Sequence, residues 1–236
     1  MTNLMTLPVS EIFYSIDGEG ARTGAPTIFI RLFGCNLKCT YCDTKYACVK
    51  EDGVFGYEDK TLDEILEAVK TYEPCKCITL TGGEPLIHPA ASSLVTLLRE
   101  NGYWVNIETN GSIDLEPFIE EQDKLGPKKS TMDYFFTMDW KSISSSECTA
   151  MLKSNLDLLE TTDVLKFVVG SEDDLNQMKQ LLEEYPDIDA QIYVSPVWGE
   201  ITPAHIVEYI LNNQLVYVKV QVQLHKIIYH PNKRGV

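Results

Sequence analysis

At 236 residues and 44% hydrophobic content, the chain is long enough to bury one sizeable core, and α/β barrels of this length commonly stay single domains. One domain spanning 1–236 is therefore expected. A net charge of −15 argues against nucleic acid or an anionic membrane as the main partner, because either would repel the surface.

The opening MTNLMTLPVSEIF lacks the basic flank and apolar stretch of a secretion signal. No apolar run approaches the roughly 20 residues that cross a bilayer, so a cytoplasmic protein is expected. Seven cysteines are an odd number, and without a signal they read as reduced thiols rather than a disulfide framework. Apolar, β-rich stretches then recur at 27–33, 77–81, 104–108, 135–138, 165–169, 191–194 and 217–224.

Helical spacing fills most of the gaps. Thr61 and Glu64 form a capping-box pattern before Leu62, Ile65, Leu66 and Val69. Asn101-Gly102 closes the next helix, and weaker patterns lie near Phe118 and across 151–159. Ser171 and Thr202-Pro203 open two further amphipathic helices. Six β/α units with right-handed crossovers result, followed by a last strand with alternating valines, which reads as an edge or second layer. Segment 47–60, with Gly53 and Gly56, is the expected irregular insertion.

The first apolar strand leads into Cys35, Cys39 and Cys42, spaced CxxxCxxC. Such thiolates can hold three corners of a [4Fe-4S] cube and leave one iron open, and a position at a strand's carboxyl end is where ligands bind in parallel α/β folds. A zinc knuckle is the alternative, but Cys75 and Cys77 are spaced CxC and no histidine pair has helical spacing. The second strand ends in Thr81-Gly82-Gly83-Glu84-Pro85. Its glycines permit close backbone approach to a ligand and Glu84 is able to accept from an ammonium, or the segment is an ordinary βα turn.

CxxxCxxC after one strand and GGEP after the next resemble the radical S-adenosylmethionine (SAM) superfamily. That resemblance implies a partial (β/α)6 barrel with an extra C-terminal strand, a cluster at its carboxyl-end mouth, SAM chelated by the open iron, and a GGEP-like loop on the SAM amino group. Phe13-Tyr14-Ser15-Ile16-Asp17-Gly18-Glu19-Gly20 is similar to the FxSIQGEG segment of 7-carboxy-7-deazaguanine synthases, with Asp17 where Gln is usual. Arg31 matches their substrate-binding arginine, and Tyr41-Cys42-Asp43-Thr44 contains their CDT, whose Thr helps bind Mg²⁺. Gln223-Leu224-His225-Lys226 and Pro231 are similar to a QxHK ending with a terminal proline, here followed by five more residues. Asp139-Trp140-Lys141 and Ser195-Pro196-Val197-Trp198 stand where relatives contact SAM.

The resemblance implies that Ile16, Asp17, Gly18, Glu19, Arg31, Thr81, His225 and Pro231 meet a carboxylated tetrahydropterin, whose ring contracts with loss of ammonia after a reduced cluster cleaves SAM to a 5′-deoxyadenosyl radical. It also implies a flavodoxin-like or ferredoxin-like reductant, a homodimer and a place in 7-deazapurine (queuosine) biosynthesis. Other readings stay open on the residues themselves. Arg31 in an apolar strand also suits pairing with a buried carboxylate, Asp17 and Glu19 suit loop orientation, Thr44 a helix cap, and His225 a surface histidine. The ETNG segment, Glu108 to Gly111, suits SAM contact or a turn; Cys48, Cys75, Cys77 and Cys148 read as idle. A glycyl-radical activase and a metal-stabilised binding module are the alternative functions.

Overall fold

A computed structural model describes residues 5–49, 56–124, 133–231 and 233–236. Nine strands form one open sheet in the order β3-β1-β2-β4-β5-β6-β7-β8-β9. Its parallel body consists of β2 (Pro26–Leu32), β4 (Cys77–Gly82), β5 (Trp104–Thr109), β6 (Tyr134–Trp140), β7 (Val164–Val169), β8 (Gln191–Pro196) and β9 (Val218–Val220). Five of the six β/α steps expected from the sequence carry an α-helix, and the sheet does not close. The helices are α1 (Leu62–Lys70), α2 (Ala90–Glu100), α3 (Glu116–Asp123), α4 (Glu172–Glu184), α5 (Pro203–Asn212) and the short α6 (Leu224–Ile228).

Local chemistry sets several helix starts. The Thr61 hydroxyl accepts from Glu64 N while the Glu64 carboxylate accepts from Thr61 N, and Ser171 with Asp174 repeats this capping box on α4. Thr202 Oγ1 caps α5 by accepting from His205 N.

Alternation along the strands divides the sheet into two unlike faces. Ile30 pairs with Leu80, Leu80 with Ile107 and Ile107 with Phe136; Met138 pairs with Leu165 and Leu165 with Ile192. All belong to the continuous core that includes Leu94, Val95 and Leu175 of the helices. The intervening positions carry another register: Arg31 beside Thr81, Glu108 beside Thr137, Asp139 beside Lys166, and Lys166 beside Tyr193. Thus the concave face, away from the helices, is polar.

Four expectations need correction. An eleven-residue strand, β1 (Thr6–Ile16), pairs antiparallel with β2 and with β3 (Glu58–Thr61); the sequence reading assigned neither, and β3 falls partly within the supposed irregular insertion. Residues 50–55 of that insertion lie outside the described residues. The crossover at 151–159 is a 3-10 turn, Lys153–Leu158. The closing strand is only Val218–Val220, because the glutamines that follow turn away from the sheet to bond the loop after β1.

Candidate active site

β2 ends at the carboxyl rim of the parallel body, and Gly34, with φ +104°, starts the cysteine loop in a conformation L side chains rarely adopt. Its N–H donates to Ala47 O at 2.7 Å, closing the loop at its base. Cys35, Cys39 and Cys42 are free and partly exposed. The loop packs directly on the GGEP turn. A Cβ on Gly82 would lie 2.3 Å from Leu32 O, and one on Gly83 would lie 2.3 Å from Gly34 O and 2.7 Å from Cys35 Cβ. These glycines therefore let one loop seat against the other, in addition to any backbone approach to a ligand.

Thiolates are the metal-binding form of cysteine. The neighbouring Cys48 thiol draws Cys35 and Cys42 down to about 6, whereas burial pushes Cys39 up to about 11. Cys48, expected to be idle, instead lies beside two of the three thiols, and its one S–H donates to Thr44 O at 3.4 Å. Sequence spacing gave no signal for it. Three thiols on one loop, two of them readily ionised, suit iron–sulfur ligation. Among the described residues, no three metal-ligating side chains are drawn around one point.

Glu84, expected to accept from a ligand ammonium, instead engages its carboxylate within the protein. It is fully buried; Oε1 accepts from Leu86 N and Thr109 Oγ1 at 3.0 Å each, and Oε2 accepts from Asn110 N at 2.6 Å. Burial pushes its carboxyl up to about 7. Its side chain thus ties GGEP to ETNG, leaving backbone groups as the GGEP atoms available to a ligand. Asn110 extends the tie by donating to Asn36 Oδ1 at 3.1 Å and approaching Cys35 Sγ at 3.8 Å.

Arg31 faces the polar concavity, and its Nε donates to Glu11 Oε1 at 2.8 Å. That oxygen also accepts from the Tyr46 hydroxyl at 2.8 Å. Against the burial that opposes its charge, Tyr46 and Glu11 hold the guanidinium protonated. Its Nη groups form no hydrogen bond among the described residues, so the pair leaves donors for an anion. Thr81 Oγ1 donates to Glu108 Oε2 at 2.8 Å in the same concavity.

Thr44 occupies a cap position before the 3-10 turn Lys45–Ala47, but its hydroxyl makes no capping bond; Oγ1 lies 3.7 Å from Cys42 Sγ. The helix-cap alternative is thereby removed. Beside it, the half-exposed Asp43 carboxyl is held below the usual range by the Lys226 ammonium, 2.7 Å away. The Thr44 hydroxyl beside the thiol loop suits a hard cation such as Mg²⁺.

The loop between β1 and β2 fills the opening between the first and last strands of the parallel body. Gly18 O accepts from Leu224 N at 3.0 Å, and a Cβ on Gly18 would lie 2.2 Å from His225 Nδ1. Gln221 bonds both backbone groups of Gly20 at 2.9 Å. Glu19 Oε1 accepts from Ser195 Oγ at 2.8 Å, while Oε2 accepts from Gln223 Nε2 at 3.3 Å and lies 3.5 Å from Lys166 Nζ. His225 is buried enough to lower its pKa, so it is part of this joint rather than a free surface histidine.

Asp17 is placed differently from its neighbours. It is 2% exposed, pairs with Arg22 Nε at 3.2 Å and accepts from Thr27 Oγ1 at 2.8 Å and Thr79 Oγ1 at 3.1 Å. Arg22 in turn donates to Ile78 O, Thr79 Oγ1 and Trp104 O. These partners lie towards the amino ends of the strands, and they supply Asp17 with a structural role. Burial pushes its carboxyl up to about 6.

Around the proposed SAM side, Lys141 Nζ pairs with Asp139 Oδ2 at 2.8 Å. Trp140 is instead packed in the apolar core, so its side chain is removed from the concavity. Tyr41 OH donates to Val168 O at 3.4 Å, and Val197 N donates to Val169 O at 2.7 Å at the end of β8. Trp198 is half exposed. Pro231 lies in the turn after α6, with Asn232 outside the described residues.

A family model for the Radical SAM superfamily matches residues 29–135, the stretch that contains the cysteine loop, GGEP and ETNG. Fold and thiol loop together thus define a radical SAM enzyme. A 7-carboxy-7-deazaguanine synthase from Clostridium acetobutylicum is 43% identical over 234 residues, covering 98% of this chain and all of its own. One from Methanospirillum hungatei is 38% identical over 226 residues, covering 94% of this chain and 85% of its own. The crystal structure of QueE from Escherichia coli superposes with a TM-score of 0.72 at 24% identity, covering 94% of this chain and 95% of that one. That of Streptococcus suis SuiB bound to S-adenosylmethionine gives 0.55 at 12% identity, over 80% of this chain and 48% of its own. The chain belongs to the 7-carboxy-7-deazaguanine synthase family. Membership implies a [4Fe-4S] cluster and SAM; no helix among the described residues is long and apolar enough to cross a membrane.

Proposed function

We propose that this chain is a 7-carboxy-7-deazaguanine synthase acting on 6-carboxy-5,6,7,8-tetrahydropterin in 7-deazapurine biosynthesis. The observation that carries the reading is 43% identity to such a synthase along the full length of both chains. The polar concavity beside the thiol loop, with Arg31 in it, agrees with that substrate.

Cys35, Cys39 and Cys42 would hold the cluster, which when bound would supply the one-electron reduction that cleaves SAM. Backbone groups of Gly82 and Gly83, together with Tyr41, Asp139, Lys141 and the Ser195 to Trp198 turn, hold SAM. Arg31 receives the pterin carboxylate through its Nη groups. Thr44 would hold a Mg²⁺, which when bound would offset negative charge on the same carboxylate, while Asp43, paired with Lys226, stays on the SAM side. The joint between the Ile16 to Glu19 loop and the Gln223 to His225 tail, with Thr81 and Pro231, covers the ring and excludes water from a radical that attacks any nearby C–H bond. The chain works as one cytoplasmic domain, forms a homodimer and takes electrons from a flavodoxin-like or ferredoxin-like reductant.

Anaerobically reconstituted protein, given reductant, SAM, Mg²⁺ and the carboxytetrahydropterin, should produce a deazaguanine detectable by mass spectrometry. SAM cleavage without that product would reject the substrate and retain the superfamily. A colourless zinc protein would reject both.

A further inference from the structure

Lys166 is the one charged residue of β7, in the run Val-Leu-Lys-Phe-Val-Val, and every residue of that strand is buried. Placing an ammonium there is costly unless carboxylates face it. Two do: Nζ lies 3.5 Å from Glu19 Oε2 and 3.9 Å from Asp139 Oδ2. Charge-assisted N–H···O bonds are typically about 2.7–2.9 Å, so Lys166 straddles the two carboxylates without closing on either.

Its partners come from opposite sides of the site. Glu19 lies on the loop joined to the tail through Gln223, whereas Asp139 is on β6 and already holds Lys141. Asp139 Oδ1 and Gln223 Oε1 are buried without a hydrogen-bond partner. Burial opposes charge on all three groups. Glu19 and Asp139 nevertheless keep Lys166 protonated, and Lys166 holds the Glu19 carboxyl below its usual range. Glu108 adds to the pull on Lys166, while Lys141 opposes it.

We infer that Lys166 is a positioning residue whose ammonium fixes the Glu19 loop against the Asp139 strand, the substrate side of the site against the SAM side. The assignment of those sides rests on the function proposed above. Without the ammonium, the two carboxylates lose the cation they share: Asp139 keeps only Lys141, Glu19 keeps only its bonds to Ser195 and Gln223, and no charge ties the loop to β6. Lys166 thus acts through its neighbours rather than by touching the reacting atoms.

The test is a double-mutant cycle in cluster-loaded enzyme with Lys166→Met, Glu19→Gln and their combination. Lys166→Met should leave iron content unchanged and raise KM for the pterin about tenfold, with kcat altered no more than about threefold. The double variant should be no worse than the worse single one. Unchanged KM with a lowered Tm would make Lys166 purely structural, and KM effects that multiply would show that it does not act through Glu19; either overturns the inference. If Lys166→Met does not fold, Glu19→Gln and Asp139→Asn form the cycle: non-multiplicative effects support the bridge and multiplicative effects overturn it. Should wild-type enzyme cleave SAM yet make no deazaguanine, the substrate reading fails alone. Lys166 is then judged by the SAM dissociation constant, expected to rise about tenfold in Lys166→Met, with an unchanged value overturning the inference.

Discussion

Two groups of buried charge occupy the same concave face and differ in how fully the protein satisfies them. Towards the amino ends of the strands, Asp17 accepts from two hydroxyls and lies 3.2 Å from Arg22 Nε, which makes no hydrogen bond, while both Arg22 Nη groups donate, together reaching two carbonyls and a hydroxyl. Towards the thiol loop, Arg31 has bonds only through Nε, Lys166 reaches no carboxylate closely, and Asp139 leaves one oxygen without a partner. A buried group whose partners are all internal contributes to the fold. Donors held in place without partners, such as the Arg31 Nη groups, are prepared for a ligand.

The largest effect expected of this contrast is at the rim. Cys39→Ala should abolish both cluster assembly and SAM cleavage, measured as iron and sulfide content and as 5′-deoxyadenosine release. Unchanged iron content would remove Cys39 from the ligand set.

At the other group the effect should fall on stability. Arg22→Met leaves Asp17 buried without its cation, and breaking a buried pair costs about 3–5 kcal/mol. A drop in Tm of about 10 °C is expected, with pterin KM unchanged in the folded enzyme. A changed KM with unchanged Tm would reverse the assignment of the two groups.

A smaller effect concerns pH. Asp17 titrates at about 6 in the fold against 3.8 ordinarily, so the folded state holds its proton longer than the unfolded chain. Its contribution is fully present below 3.8 and is lost as pH rises through about 6, an amount of about 3 kcal/mol. Asp17→Asn should flatten that part of the pH dependence of the urea midpoint. An identical slope in both proteins would show that Asp17 does not titrate there.

The sequence carried the helix-facing half of this architecture more clearly than the concave half. Periodic apolar residues and the Thr61 capping box are local signals, and the structure follows them. β1 escaped because its pairing with β2 and β3 is made only in three dimensions, and its last residues, Phe13 to Ile16, carry a motif that says nothing of strand pairing. Lys166 and Cys48 escaped because neither belongs to a motif; only the fold brings Lys166 to Glu19 and Cys48 to Cys35. Glu84 and Trp140 belong to recognisable motifs, yet their side chains turn towards neighbouring backbone and the core respectively. Motif spacing identified positions on the chain without specifying which way the side chain points.

The most direct test of the central claim compares binding of 6-carboxytetrahydropterin with that of the same pterin lacking its carboxylate, using cluster-loaded enzyme with SAM and Mg²⁺. The carboxylated ligand should bind about tenfold or more tightly, and Arg31→Ala should erase the difference while retaining the cluster. Equal affinities in the wild-type enzyme would contradict the account.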